Sequence, residues 1–383
     1  MLTQDEINRL VELRRELHQQ PELSGKETLT SREICDFLNS LNPDRVITKI
    51  GHTGVLASWT SDKAGPNILL RAELDALPIQ EENNEQYASK TSGVSHKCGH
   101  DGHMSILCGV AILLNRAGIT SGSVSLLFQP AEETGEGARL VLKDARFSDL
   151  TFDYAFALHN IPGEESGTVL SKAGTFCMAS KGLKFSLKGQ TAHASQPQTG
   201  INPTESIVQL THFINHSLES IEFTSTTLAT ITHVNIGEPT LGISPGEGQV
   251  WVTIRAEKDH DLDLLESLIK TQAKDLSQKK GLHLGIEEDE AFHTTLNSSI
   301  GHEIIQSASE AIGIPFETMQ QPNPWSEDFG LFLNKYTGAI FGLGAGKNLP
   351  QLHNPDYNFP DDLIEKGVQV FWSIIQECIK KAT

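Results

Sequence analysis

The run Asn67-Ile68-Leu69-Leu70-Arg71-Ala72 is apolar at almost every position and shows no alternation between apolar and polar residues. This pattern predicts a strand that is buried on both faces. Residues 154–159 predict a second buried strand, and residues 122–129 predict a strand between the two. Segments that predict helices, residues 105–117 and 135–142, separate these strands. Alternation of this kind predicts an α/β fold whose mostly parallel sheet is flanked by helices.

The pattern changes after about residue 177, where residues 184–188 alternate as a strand with one face in water does. From there the order is strand, helix, strand, strand, helix, strand, which is the order of a ferredoxin-like α+β unit. Its later elements are predicted over residues 203–220, 226–235, 249–256, 261–279 and 282–287. Near residue 290 the first pattern returns. We therefore predict a discontinuous main domain, residues 1–177 and 291–383, with a smaller domain of residues 178–290 inserted into it.

The ends of the chain add to the main domain. Helices are predicted over residues 5–17, 27–41, 302–311 and 361–380, and strands over residues 54–59 and 339–343. A chain of 383 residues is longer than one hydrophobic core usually organises, which agrees with two domains.

Charge and cysteine content limit the class of protein. The formal net charge of −19 argues against nucleic acid and anionic membranes as partners. No apolar run reaches the roughly 18 residues that a membrane span needs, and the N-terminal residues do not have the pattern of a targeting segment. The five cysteines are odd in number and scattered, which argues against a disulfide framework. We therefore expect a cytoplasmic protein with mostly buried thiols.

The densest group of chemically active side chains is His96-Lys97-Cys98-Gly99-His100-Asp101-Gly102-His103. Three imidazoles and a thiol within eight residues are typical of a transition-metal site. Cys98 and His100 are two residues apart, so an extended loop could point both the same way. The alternative is a polar surface loop with a chance excess of histidine, but an exposed cysteine in such a loop would be open to oxidation.

A second group, Gln129-Pro130-Ala131-Glu132-Glu133-Thr134-Gly135-Glu136-Gly137, follows a predicted strand. Adjacent carboxylates at a strand end point to opposite sides of the backbone. One of them can bind a metal while the other acts as a general base on water. The alternative is a solvated acidic loop at a helix N-terminus, where carboxylates are also favourable.

Two histidines lie at predicted strand ends, where sites collect in α/β sheets. These are His159 and His353, although a lone histidine at such a place is more often structural. The Gly342-Leu343-Gly344-Ala345-Gly346 stretch before His353 is either a tight turn or a source of backbone N–H groups for an anionic substrate group, with Gly344 as the candidate. In the inserted domain, His193 follows an alternating strand, and a closing domain could use it to stabilise an oxyanion.

Assembled, these residues resemble the M20 metallopeptidase family. The likeness is strongest to its aminoacylase-like amidohydrolases, which include hippurate hydrolases, plant auxin-conjugate hydrolases and N-acetyldiaminopimelate deacetylases. The matching segments keep the family's order and cover almost the whole chain. They are residues 17–24, 71–79, 96–103, 129–137, 157–160, 191–195, 326–329 and 352–355.

The resemblance implies a zinc-exopeptidase-like main domain that binds metal, and an inserted lid domain through which two copies form a homodimer. It implies two divalent metal ions, zinc or manganese, with nickel and cobalt as further candidates. The ligands that it implies are Cys98, His100, Glu133, His159 and His353. It also implies that Glu132 is the general base, that Asp75 orients a ligand from behind, and that His193 contacts the substrate carbonyl oxygen.

The implied reaction is hydrolysis of the amide bond of an N-acyl amino acid or a related small amide. Two rivals stay open. A dipeptidase or carboxypeptidase of the wider family usually supplies Asp where this sequence supplies Cys98, and a binding protein could keep the fold without the reaction. The sequence departs from the family at Glu73, where Asp is usual, and at Gly242, where the family's lid carries Asn.

Overall fold

The computed structural model describes residues 1–218 and 221–382, and its contacts divide the chain into two compact units. The first unit comprises Met1–Phe176, Thr295–Pro322 and Asp328–Thr383. The second unit comprises Cys177–Thr294 and Asn323–Glu327.

The first unit alternates strands and helices along the chain. Its N-terminal part contains α1 (Gln4–Gln19), α2 (Thr28–Asn39), β1 (Arg45–Ile50), β2 (Gly54–Thr60), β3 (Asn67–Glu73), α3 (His100–Ala117), β4 (Ser123–Gln129), α4 (Gly137–Lys143), α5 (Ala145–Ser148), β5 (Tyr154–Pro162), β6 (Val169–Ser171) and β7 (Gly174–Cys177). Its C-terminal part contains β14 (Thr295–Asn297), α8 (Ser299–Ala311), β15 (Phe316–Thr318), α9 (Gly330–Leu333), β16 (Thr337–Gly346) and α10 (Leu363–Ala382).

An eight-stranded sheet organises this unit, with the order β1-β2-β4-β3-β5-β16-β6-β15. The four central strands, β4, β3, β5 and β16, are parallel to one another. Ile68 and Leu70 of β3 enter a core that is shared with α1, α3 and α10, and Leu69 between them is equally buried. Both faces of β3 are therefore covered, and the α/β fold predicted from its apolar pattern is confirmed.

Helix α3 begins earlier than the sequence predicted. The apolar pattern indicated a start at residue 105, whereas the helix begins at His100. Gly99 precedes it with φ 92°, and a Cβ at this position would lie 2.4 Å from Oδ1 of Asn160. Glycine is required here because an L side chain is strained at positive φ and has no space. Cys98 and His100 therefore do not lie together in an extended loop, because His100 is the first residue of the helix.

The second unit has the predicted ferredoxin-like order. It contains β8 (Ala179–Lys188), β9 (Ala192–His193), α6 (Thr204–His212), β10 (Thr227–Ile236), β11 (Ile243–Ser244), β12 (Glu247–Ala256), α7 (Asp259–Lys280) and β13 (His283–Phe292). The antiparallel sheet has the order β10-β12-β8-β13. Alternate residues of β12, such as Val250 and Val252, pack with α6 and α7 in a separate core.

Helix α6 ends at His212 and continues as a π-helical turn over Phe213–Ser217, while the predicted end at residue 220 lies outside the described residues. Among the described helices, none combines the length and the apolar character that a membrane crossing requires.

Candidate metal centre

The carboxyl ends of the central parallel strands bring the candidate residues of the first unit together. Asp75 follows β3, Glu132 and Glu133 follow β4, His159 lies near the end of β5, and His353 follows β16. The carboxyl ends of parallel strands share one edge of a sheet, where sites in α/β folds collect. The Cys98–His100 segment joins them because α3 begins there.

The five predicted ligands form two groups that share the thiol of Cys98. The ligand atoms of Cys98, His100 and His159 lie within 4.8 Å of one another, and so do those of Cys98, Glu133 and His353. Cys98 Sγ is 3.4 Å from His159 Nε2, and His353 Nε2 is 3.6 Å from a carboxylate oxygen of Glu133. Two groups with one sulfur in common have the composition expected of a site for two neighbouring cations.

Hydrogen bonds fix the tautomers of two of these imidazoles. Nδ1 of His100 lies 2.8 Å from the backbone oxygen of Asp75, and Nδ1 of His159 lies 2.9 Å from that of Asn160. A carbonyl oxygen only accepts, so each Nδ1 carries a proton, and in the neutral ring each Nε2 has the lone pair that a metal ion binds. Nε2 of His100 is buried and has no hydrogen-bond partner among the described residues, which fits a metal ligand.

The electrostatics around His100 favour positive charge, whereas burial and the charges of neighbouring imidazoles lower the pKa values of His159 and His353. Burial by itself would lower the pKa of His100, but its hydrogen bond to Asp75 and the charges of Glu73 and Glu133 raise this pKa to about 10. Burial raises the pKa of the Cys98 thiol, and the charge of Glu133 raises it further. A thiolate at Cys98 therefore needs a cation beside it, and divalent cations would supply the positive charge that this site stabilises.

Glu132 lies at the same place, and its side chain is almost fully buried. A carboxylate oxygen of Glu132 is 3.9 Å from His100 Nε2, and the equivalent distance for Glu133 is 3.8 Å. Asp75 is completely buried behind them, where Oδ2 accepts hydrogen bonds from Ser24 Oγ at 2.7 Å and from the backbone N–H of Glu133 at 3.0 Å. Asp75 thus contacts both the His100 segment and the Glu133 segment.

The sequence analysis missed a buried ionic network next to these ligands. Glu73 binds Arg71 and accepts a hydrogen bond from Nδ1 of His103 at 2.8 Å. The other end of the Arg71 guanidinium lies 2.7 Å from Asp328. The glutamate that departs from the family pattern is therefore long enough to contact both Arg71 and His103. A charged pair inside the otherwise apolar run of β3 was the signal available in the sequence.

Gly344 lies within β16, near its carboxyl end, and not in a binding loop. Its N–H donates to the backbone oxygen of Thr168 at 2.8 Å, and its own oxygen accepts from the N–H of Gly167. A Cβ here would come within 2.1 Å of the backbone oxygen of Glu165. The glycine is required by this close approach, and its N–H is not available to an anionic substrate group, contrary to the prediction.

In the second unit, His193 ends β9 and is exposed. Its Nδ1 accepts from the backbone N–H of Ser195 at 3.1 Å and lies 2.8 Å from Ser195 Oγ. The proton of a neutral His193 ring is therefore on Nε2, which becomes an exposed donor. Gly242 accepts a hydrogen bond from Ala194 N, and a Cβ at Gly242 would have no atom within 4 Å. Space for a side chain therefore exists beside His193.

The chain aligns with several characterised hydrolases over most of its length. The chain is 28% identical over 382 residues to an N-acetylcysteine deacetylase of Bacillus subtilis, covering 97% of this chain and 98% of the relative. It is 28% identical over 377 residues to a hippurate hydrolase of Campylobacter jejuni, covering 96% of each chain. It is 30% identical over 350 residues to thermostable carboxypeptidase 1 of Saccharolobus solfataricus, covering 88% of this chain and 86% of the relative.

The fold is shared with the YXEP protein of Bacillus subtilis, a dinuclear metal binding peptidase from the M20 family. The TM-score is 0.83 at 25% identity, with 99% of each chain covered. The fold and these relatives define a hydrolase that acts on linear amide bonds. The model of peptidase family M20/M25/M40 matches residues 69–377, and the chain belongs to this family.

Proposed function

We propose that this protein hydrolyses the amide bond of N-acyl amino acids with two divalent cations, held by Cys98, His100, Glu133, His159 and His353. The observation that carries the proposal is the pair of three-residue ligand groups that share Cys98 Sγ. Thiolate and imidazole ligands favour zinc, with manganese as the second candidate. Bound cations of this kind lower the pKa of a water molecule and polarise an amide carbonyl.

Glu132 is the general base of the proposed reaction. Its carboxylate lies beside the ligand cluster and is almost fully buried, so a proton that it takes from the attacking water is not lost to solvent. The same carboxyl group then returns the proton to the departing amide nitrogen. Asp75 positions the site by holding His100 on one side and the Glu133 N–H on the other.

His193 is proposed to donate a hydrogen bond from Nε2 to the carbonyl oxygen as negative charge develops there. Ser195 supports this role because it occupies Nδ1 and so leaves the proton on Nε2. Loss of one such donor typically lowers the rate by about 10²–10³-fold. In this proposal the second unit is the lid.

The substrate class rests on the deacetylase and hippurate hydrolase relatives, both of which are named for N-acyl amino acids. A carboxypeptidase or dipeptidase is the second candidate, favoured by the similarity to a thermostable carboxypeptidase. The two kinds of enzyme differ in the acyl group of the amide bond that they cleave. In an N-acyl amino acid this group comes from a simple carboxylic acid, and in a peptide it comes from an amino acid. A panel that contains both kinds of substrate separates them.

The experiment combines metal analysis with that panel. Protein loaded with zinc or manganese is tested on N-acetyl and N-benzoyl amino acids and on dipeptides, together with Glu132→Gln and the matched control Glu136→Gln. Glu136 is an exposed carboxylate in the same loop. We expect Glu132→Gln to keep its metal and to lose about 10²–10⁴-fold in turnover, and Glu136→Gln to behave as wild type. Wild-type turnover in Glu132→Gln would remove Glu132 from the reaction.

We also propose a cytoplasmic homodimer that forms through the second unit. The edge strand β10 exposes Leu228 and Val234, and apolar side chains on an unpaired edge are a usual place for association of two copies. Sedimentation velocity measures the mass directly, and a monomer at micromolar concentration would contradict this part of the proposal.

A further inference from the structure

The segment between α1 and α2 contains a buried carboxylate that does not bind the helix beside it. Glu27 stands at the N-cap of α2, yet its side chain makes no capping hydrogen bond to that helix. The carboxylate of Glu22 does this instead, accepting from the backbone N–H groups of Leu29 at 2.8 Å and Thr30 at 2.9 Å. The carboxylate of Glu27 therefore serves something other than its own helix.

That carboxylate reaches the turn which carries the proposed general base. Oε1 of Glu27 accepts from the backbone N–H of Ala131 at 2.9 Å and from that of Gly25 at 2.7 Å. Oε2 accepts from the hydroxyl of Thr53 at 2.7 Å. Glu27 and Ala131 are 104 residues apart in the sequence, and Glu27 is fully buried.

The backbone of Ala131 has a conformation that needs support. Its φ is 52°, in the left-handed region that residues with a Cβ rarely adopt. Its carbonyl oxygen accepts from the N–H of Gly137 at 3.0 Å, and a Cβ on Gly137 would lie 1.7 Å from the backbone oxygen of Pro130. The turn is thus closed tightly around a strained residue, and strain of this kind persists only where neighbouring groups hold it.

Two buried carboxylates hold the backbone on either side of Glu132. Glu27 binds the N–H of Ala131, which precedes it, and Asp75 binds the N–H of Glu133, which follows it. The direction of the Glu132 side chain depends on the backbone between these two fixed points. A displacement of about 1 Å in a reacting group is enough to lower a rate by about 10²-fold.

We propose that Glu27 is a positioning residue, which holds Ala131 in its left-handed conformation and thereby aims the carboxylate of Glu132 at the ligand cluster. The inference rests on the proposed function for the role of Glu132. The described hydrogen bonds of Glu27 go to Ala131, Gly25 and Thr53 and to none of the proposed metal ligands, and in this proposal Glu27 acts on the reaction through the Ala131 N–H.

The test uses three substitutions in the full-length, metal-loaded protein. Glu27→Met fills similar space but accepts no hydrogen bond. Glu27→Gln keeps an accepting oxygen for Ala131, and its amide can donate to the Thr53 hydroxyl. Thr53→Val removes only the hydrogen bond to the other oxygen. We expect kcat to fall by about 10–100-fold in Glu27→Met, with KM within about threefold, and both parameters to stay within about threefold in the other two variants.

A second measurement does not depend on turnover. In protein labelled with ¹⁵N-alanine, the amide of Ala131 exchanges slowly with solvent in the wild type, in Glu27→Gln and in Thr53→Val, and at least about 100-fold faster in Glu27→Met. If no substrate of the panel is hydrolysed, the proposed function fails, while the exchange rate still reports on the Glu27–Ala131 bond.

Three results would overturn the inference. One is wild-type kcat in Glu27→Met, the second is a Glu27→Gln variant as slow as Glu27→Met, and the third is unchanged exchange at Ala131 in Glu27→Met. Should Glu27→Met not fold, the Glu27→Gln variant decides alone, because a large loss of kcat there contradicts a role that needs only an accepting oxygen.

Discussion

Shortening Glu73 by one methylene tests the buried network beside the ligand cluster. The Glu73 carboxylate binds Arg71 with one oxygen and His103 Nδ1 with the other, the latter at 2.8 Å. In Glu73→Asp the carboxylate retreats by about 1.5 Å, which is the length of one C–C bond, so it no longer reaches both partners. Arg71 keeps its contact with Asp328 at 2.7 Å, and the guanidinium is therefore not left without a counter-charge.

The expected loss of stability follows from these contacts. One hydrogen bond to a charged group contributes about 1.5–3 kcal/mol, and one buried methylene contributes about 0.8 kcal/mol. Glu73→Asp should therefore lower the free energy of unfolding by about 2–4 kcal/mol. At about 2–4 °C of Tm per kcal/mol, the Tm should fall by on the order of 5–15 °C.

The assay is urea or thermal unfolding at a fixed metal concentration, because any ligand of the folded state raises its apparent stability. Glu85→Asp, the same change at an exposed position, is the matched control and should stay within about 0.5 kcal/mol of wild type. A Glu73→Asp protein as stable as that control would refute the reasoning, since it would mean that one partner of Glu73 is dispensable.

Two further predictions concern metal content and pH. Cys98→Ser removes the sulfur atom that both ligand groups share. We therefore expect the chain to lose both metal ions together and not one alone. Inductively coupled plasma mass spectrometry measures this metal content. Glu33 on α2 is half-buried, and burial together with the nearby Glu16 raises its pKa to about 7. Because this folded-state pKa lies above the ordinary value, the folded protein binds the Glu33 proton more tightly, and stability falls as pH rises from about 4.5 through 7. Glu33→Gln should therefore be more stable than wild type at pH 8, by about 1 kcal/mol after allowance for solvent screening. At pH 4 the two proteins should have similar stability. Equal urea midpoints of the two proteins at pH 8 would contradict this prediction.

Much of the architecture could be predicted because its signals are local. The apolar pattern of β3 indicated a strand covered on both faces, and the alternating residues of β8 and β12 indicated a sheet with one exposed face. Helix starts were less accurate. Helix α3 begins at His100 instead of residue 105, since its first turn is polar and carries no apolar period. The first turn of α3 is polar because its side chains are proposed metal ligands or bind charged partners.

The amino-acid sequence by itself determined which residue types are available for chemistry and where strands end, because both can be recognised from short stretches of chain. Only the tertiary structure decided which of them meet. Cys98 and His159 come within 3.4 Å across 61 residues, and Glu27 reaches Ala131 across 104. The structure also shows that the N–H of Gly344 donates to the backbone oxygen of Thr168 and is not available to a substrate. Such pairings arise from the order of parallel strands and from the burial of polar groups that must find partners, and neither leaves a periodic trace in the sequence.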